Sequence, residues 1–305
     1  MQRSCKRYFR RNFLLQWQLY ALCLPALVFL AIFNYAPMYG VQIAFKDYSV
    51  SRSFLESPWV GLKHIQRFIE APKFWQILKN TLLISLYGVA TFPLPILLAV
   101  MLNYLPSARY RKTIQMISYA PHFISTVVMC GMIMLFLSPS SGIIAKLLSF
   151  VGIDMPNLMG SASAFPHIYV WTEAWQHIGW DSILYIAALS SIDPTLYEAA
   201  TIDGANKWHK IFHIDIPSLL PTIMIMLILR MGSVMSVGFE KVYLLQNSLN
   251  NATSEIIATY VYKMGLLKSQ YSLSAAIGLF NNVINLILLL VFNFISAKIS
   301  EDSLF

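Results

Sequence analysis

Charge is scarce in this chain. Asp, Glu, Lys and Arg make up 12% of its 305 residues while hydrophobic side chains make up 57%, against roughly 25% charged in a soluble domain. That excludes an ordinary water-soluble globule as the first reading. Cysteine is scarce too: Cys5 lies in a basic tail and Cys23 and Cys130 fall in apolar stretches, so no disulfide framework is expected. No two of the 13 glycines stand five apart, as a phosphate-cradling G-x-x-x-x-G-K-[ST] loop requires, so the chain cannot bind ATP by that route. G-x-S-x-G and H-E-x-x-H are also absent, which leaves a membrane-embedded hydrolase without its machinery. His209 and His213 stand four apart, as two zinc ligands on a helix would. Lys210 follows the first where a metalloprotease has Glu, and no metal site is expected.

What is abundant is long apolar sequence. A hydrocarbon core of about 30 Å takes about 20 apolar residues as helix. Six windows qualify: Leu19 to Met38, Leu82 to Leu102, Ile114 to Leu137, Phe165 to Leu189, Leu219 to Val237 and Ala275 to Ile295. Barrel strands would instead be segments of about ten residues with alternating polarity. The expected fold class is therefore all-α, a multi-pass membrane protein with spans at 17–45, 80–104, 113–137, 165–190, 218–238 and 273–297. The first window comes after a basic start but is long and lacks an Ala-x-Ala cleavage pattern, so it reads as a retained helix.

The net charge of +8 would imply nucleic acid only on a soluble basic face, and no such domain is available; no nucleic-acid partner is expected. The charge orients the helices instead. Arg3, Lys6, Arg7, Arg10 and Arg11 precede the first span, and Arg109, Arg111 and Lys112 crowd the link at 105–112, so both segments are expected on the cytoplasmic side. Six spans then place residues 1–16 and 298–305 in the cytoplasm and the segments 46–79, 138–164 and 239–272 outside. Lys46, Arg52, Lys63, Arg67, Lys73 and Lys79 lie on that outer side and make the bias modest. In the first outer segment Trp59, Phe68, Phe74 and Trp75 suit interfacial anchors. A short amphipathic helix is expected near Ile143 to Phe150.

The one long cytoplasmic link, 191–217, contains "YEAATIDGANKWHKIFHIDIP". Asp193 can cap a helix whose first residue is Pro194. Gly204 can take the left-handed conformation that ends it, a second short helix is expected after the glycine, and Pro217 sets up the next span. Leu196, Ala199, Ala200 and Asp203 share one face of the first helix, with Glu198 beside them. From pattern alone this knuckle is either an amphipathic loop on the lipid surface or a seat whose small residues admit another protein's backbone.

Glu198-Ala199-Ala200, Gly204, Ile214 and Pro217 resemble the E-A-A-x3-G-x9-I-x-L-P signature of binding-protein-dependent ABC-importer permeases, with Ile216 where Leu is usual. "ALSSIDPTLYEAATIDGANKWHKIFHIDIPSLLPTI" is similar to carbohydrate-uptake permeases of the maltose type. "SVGFEKVYLLQNSLNNATSEIIATYVYKMGLLKSQYSLSAAIGLFNNVINLILLLVFNFISAKIS" resembles the poly- and oligosaccharide branch, common in Gram-positive bacteria. The resemblance implies a type I importer permease in the cytoplasmic membrane that moves an oligosaccharide and is not itself an enzyme. It implies that Glu198, Ala199, Ala200, Asp203, Gly204, Ile214 and Pro217 form a coupling helix and its frame, seated on a separate ATPase. Its implied partners are a second homologous permease, two ATPase subunits that hold the ATP and Mg, an extracellular sugar-binding lipoprotein and the lipid bilayer. An ion-gradient-driven secondary sugar transporter is the alternative; it would call for inverted repeats, and none is visible.

Ionisable groups inside spans are functional candidates by default. In the fourth span Glu173, His177, Trp180 and Asp181 fall on one stripe with Trp171 and Trp175 beside it. Carboxylates bond hydroxyls and indoles stack on sugar rings, so the stripe suits a sugar path; ordinary packing with interfacial aromatics is the other reading. Arg230 needs a carboxylate, Glu173 or Asp181, or a watery cavity. Asn281 and Asn282 suit either sugar hydroxyls or helix contacts, and Asn293 suits helix contacts.

Overall fold

The computed structural model describes residues 17–51 and 53–299, with side chains to residue 295. The expectations resting on Arg3, Lys6, Arg7, Arg10, Arg11, Cys5, Arg52 and residues 300–305 lie outside these. Among the described residues the architecture is helical, with one isolated antiparallel bridge between Lys46 and Trp59.

The long helices are α1 (Trp17–Phe45), α2 (Phe74–Asn103), α3 (Ala108–Phe123), α4 (Thr126–Phe136) and α5 (Phe165–Ser190). They continue with α6 (Pro194–Ile202), α7 (Lys207–Gly232), α8 (Phe239–Leu245) and α9 (Tyr271–Ile299). By length and composition α1, α2, α7 and α9 can each cross a bilayer, and α3 with α4 makes a fifth if the bent pair counts as one. Helix α5 has 26 residues, about 39 Å at 1.5 Å per residue. That is long enough to cross, but it is too polar to be counted on apolarity.

Three points of the sequence-based layout differ. The third window was expected as one rod; instead α3 and α4 meet at 101°. Pro121 sits in the 3-10 turn that closes α3, and Ile124 is extended. The backbone groups freed there are met by side chains, one near and one distant in sequence: the Ser125 hydroxyl accepts from Val128 N at 3.4 Å, and buried Gln176 of α5 donates to the Ile124 carbonyl at 3.1 Å. The fifth window was expected to stay helical to Val237, but α7 stops at Gly232 and α8 begins at Phe239. Irregular backbone at bilayer depth survives only where protein buries it or a cavity borders it, and both hold here. Asn285 Oδ1 accepts from Met235 N at 2.9 Å, and the Tyr169 hydroxyl accepts from Gly238 N at 3.1 Å.

The third difference lies at the knuckle. The second short helix is not separate, because α7 runs from Lys207 without interruption through Pro217. A wide π turn, Ile211–Asp215, precedes that proline. Proline removes one donor and crowds the carbonyl four residues earlier, and a π turn is a means of absorbing both.

Helix α5 is the central post, packed against the Pro93–Asn103 half of α2 and against α3 and α7. Its crossing with α3 is close: a Cβ on Gly179 would lie 2.1 Å from the Ser118 carbonyl oxygen. One core cluster joins Ile84, Met129, Tyr169 and Val242, and another joins Ile96, Val100, Tyr185, Leu189 and Leu219. Phe68 and Phe74, expected at an interface, are buried in a third cluster against Met235 and Ile277, whereas Trp59 and Trp75 are exposed. In α1 no residue of Trp17–Leu30 is buried, and the chain rejoins the body through Tyr39–Phe45, which packs on α9.

Candidate functional sites: a polar cavity and an exposed knuckle

The cavity, of about 540 Å³, is enclosed by α2, α5, α7 and the non-helical stretch 233–238. Because Glu173, His177 and Asp181 stand four residues apart on α5, all three face it, and Arg230 reaches it from α7. Glu173 Oε2 accepts from Lys241 Nζ at 2.7 Å, and its other oxygen lies 3.5 Å from His177 Nδ1. The Lys241 side chain is only 4% exposed and also sits 5.5 Å over the Tyr169 ring. Glu173 is thus taken, and among the described residues no carboxylate comes within 4.0 Å of Arg230. Of the two options for Arg230, the cavity is the one found. The buried Ser85 hydroxyl on the same wall has no partner among the described residues. A free guanidinium, a second carboxyl group and a free hydroxyl around apolar Phe92, Met226 and Tyr185 suit a ligand rich in hydroxyl or carboxyl groups.

The tryptophans do not line this cavity. Trp171 donates to the Tyr87 hydroxyl at 2.7 Å, whose oxygen lies 2.9 Å from His167 Nδ1, and Trp175 is exposed. Trp180 stacks on His122 with ring centroids 4.3 Å apart. Asn281 Oδ1 is buried with no hydrogen-bond partner among the described residues, and Asn282 is exposed; neither lines the cavity. Asn285 of α9 braces the 233–238 stretch: besides accepting from Met235 N it donates to Ser236 Oγ at 3.0 Å. Lys241 was missed by sequence reasoning, since it lies beyond the fifth apolar window. The available signal was Glu173 itself, a carboxylate in a span that needs a cation.

The knuckle forms as its local chemistry requires. The Asp193 side chain accepts from Thr195 N at 2.9 Å, and this backbone bond above all holds its carboxyl below the usual carboxylate range. At the other end Gly204 has φ +78°, Ala205 N donates to Ala200 O at 2.8 Å and Gly204 N to Thr201 O at 3.1 Å. This is the paired closure of a Schellman turn. Asn206 then caps α7 by accepting from His209 N at 2.9 Å, and Lys210 Nζ donates to Thr201 Oγ1 at 2.7 Å across the bend. No residue of α6 is buried. Glu198, Ala199, Asp203, Gly204 and Pro217 are exposed, while Ala200 and Ile214 are half-buried. Ile202 is 87% and Trp208 68% exposed, an apolar display unusual for a loop that meets only water.

A polytopic helical bundle with a polar cavity at depth and a protruding helical knuckle defines a membrane transport subunit. The chain belongs to the binding-protein-dependent transport system inner membrane component family, whose model matches residues 91–301, knuckle included. It is 40% identical to Protein LplB of Bacillus subtilis over 94% of this chain and 91% of that protein. It is 39% identical to the polygalacturonan/rhamnogalacturonan transport system permease protein YteP of the same organism, over 95% of this chain and 91% of that one. Among solved structures it superposes with a TM-score of 0.88 on a chain of a bacterial ABC transporter involved in the import of the acidic polysaccharide alginate. That chain is 38% identical, and the match covers 96% of this chain and 99% of that one. A second structure, of a bacterial alginate ABC transporter in complex with an alginate pentasaccharide-bound periplasmic protein, gives the same TM-score at 39% identity.

Proposed function

We propose that this chain is one of two permeases in an ATP-driven importer that carries an oligosaccharide across the cytoplasmic membrane. It crosses six times, with both termini in the cytoplasm; α5 is the polar crossing and the bent α3 and α4 share another. The second permease is a homologue of this one and completes the pore. An extracellular solute-binding lipoprotein delivers the sugar, and two ATPase subunits hold the ATP and Mg. Glu198, Ala199, Ala200, Asp203 and Gly204 seat on one of those ATPases, with Ile214 and Pro217 framing the seat.

The observation that carries this reading is the knuckle: a capped, stapled helix with no buried residue and an 87% exposed Ile202, in a chain of this family. An ion-gradient transporter would give it no task. The cavity favours a saccharide, and the names of the relatives point to acidic ones; the unpaired Arg230 would take a uronate carboxylate and Ser85 and Asp181 its hydroxyls.

The test is reconstitution of the purified complex in vesicles with a panel of saccharides. ATP-dependent uptake of alginate or galacturonan oligosaccharides, lost on Arg230→Ala with the complex intact, is the expected result. Uptake of the whole panel without ATP would overturn the importer reading. ATP-dependent uptake of neutral oligosaccharides alone would overturn the acidic preference.

A further inference from the structure

Asp215 stands at the place that the I-x-L-P part of the knuckle signature leaves unspecified, and it is 0% exposed. One carboxyl oxygen accepts from the Tyr104 hydroxyl at 2.7 Å and the other from the Tyr197 hydroxyl at 2.5 Å. No Lys, Arg or His of the described residues lies within 4.0 Å of it. Its surroundings are apolar: Tyr104, Ile211 and Ile216 pack on the cluster of Val100, Leu189 and Leu219. A carboxyl group buried without a cation is costly, and an apolar side chain would fill this space without that cost. What an apolar side chain could not do is hold two hydroxyls from two other segments.

The three segments are those a coupling device would need to join. Tyr197 belongs to α6, the knuckle helix. Tyr104 is the residue after α2 ends, and α2 borders the cavity at Ser85 and Gly88. Asp215 is in α7, which runs on without a break to Arg230, 15 positions later and about 22 Å along the axis. Two of the three helices that border the cavity, α2 and α7, are therefore fastened to the knuckle at one carboxyl group.

Resting on the coupling reading above, we propose that Asp215 is a positioning residue: a joint that makes α6, the end of α2 and the start of α7 move as one body. A displacement of the knuckle then shifts the Ser85 wall and Arg230 together instead of bending α6 against the bundle.

The test uses the full complex with its ATPase, in a background where the native cysteines are replaced. Spin labels go on Thr195→Cys in α6 and Met101→Cys in α2, both exposed. Their separation is read without nucleotide and after ATP–vanadate trapping, so no knowledge of the sugar is needed. In the parent the distance should stay narrow and change by less than ~2 Å, within the range of ordinary interface shifts. Tyr197→Phe, which deletes one hydroxyl, and Asp215→Leu should broaden the distribution and let it shift on trapping. Asp215→Asn, which keeps an acceptor, should restore part of the narrow distribution. A parent distance that changes widely in a complex that traps nucleotide would overturn the joint and leave the coupling reading standing. So would a Tyr197→Phe distribution as narrow as the parent's. A parent complex that traps no nucleotide would overturn the coupling reading, and the joint with it.

Discussion

The pair Glu173–Lys241 shows what a single residue does in this protein. Lys241 is nearly enclosed, while Glu173 keeps a side-chain exposure of 36% toward the cavity. Neutralising the carboxylate leaves a buried cation unmatched, a loss of about 3 kcal/mol for a fully enclosed pair and less here because water reaches Glu173. Glu173→Gln should therefore lower the melting temperature of the purified protein, and adding Lys241→Met should recover more than half of the loss. Purely additive melting shifts would mean that the two groups do not act as a pair. Asn285 gives a second case, since it satisfies Met235 N in a stretch with no helix to do so. Asn285→Leu should cost about 1 to 3 kcal/mol, the penalty for a buried donor left unmatched, measurable by thermal unfolding. At the knuckle the cap by Asp193 should depend on pH. A carboxyl group held below its usual range stabilises the helix above the unfolded-state value and loses that effect as pH falls through the lowered one. Corrected for the intrinsic slowing of exchange in acid, the hydrogen-exchange protection factors of α6 should fall on acidification, and Asp193→Asn should remove that dependence.

Among elements, what could be read from sequence was what is chemically local. The knuckle was legible because a cap, an N1 proline and a left-handed glycine act within a few residues of themselves. A Cβ on Gly204 would meet nothing within 4 Å, so a substitution there acts through backbone strain alone. Gly204→Val should cost at least about 1 to 2 kcal/mol locally, leave the chain in the membrane and weaken retention of the ATPase on affinity purification, whereas Gly204→Asn should be tolerated. The broken helices were not legible, because a hydropathy window reports apolarity and says nothing about whether the backbone stays helical. The 101° turn after Pro121 and the stop at Gly232 each depend on distant side chains, Gln176 and Asn285, that accept or supply the freed hydrogen bonds. The α5 stripe was half legible: the period of four brought Glu173, His177 and Asp181 to one wall, while Trp171 and Trp180 turned to other neighbours and Trp175 stayed exposed. Lys241 was hidden, since it lies 68 positions from Glu173 and outside every apolar window. The α3–α5 crossing offers a test of packing by itself. Gly179→Ala forces its Cβ onto the Ser118 backbone and should destabilise by roughly 1 to 3 kcal/mol, read as an earlier melt of the purified protein.

At the scale of the whole molecule, the cavity and the knuckle lie at the two ends of α7. One end carries the group free to meet a solute, and the other carries exposed apolar side chains that water does not favour. In the proposed function α7 joins them as a rod, so that a stroke delivered to the knuckle is felt at Arg230. Helix α1, with no buried residue in Trp17–Leu30, leaves an apolar length for lipid or, in the proposed function, for the second permease. Whether the knuckle grips a motor is decided by a photo-crosslinking amino acid at Ile202, in the complex isolated from its own membrane. Capture of a nucleotide-hydrolysing chain is expected. Capture of lipid alone, while that chain is held at some other surface or is missing from the complex, would contradict the coupling role.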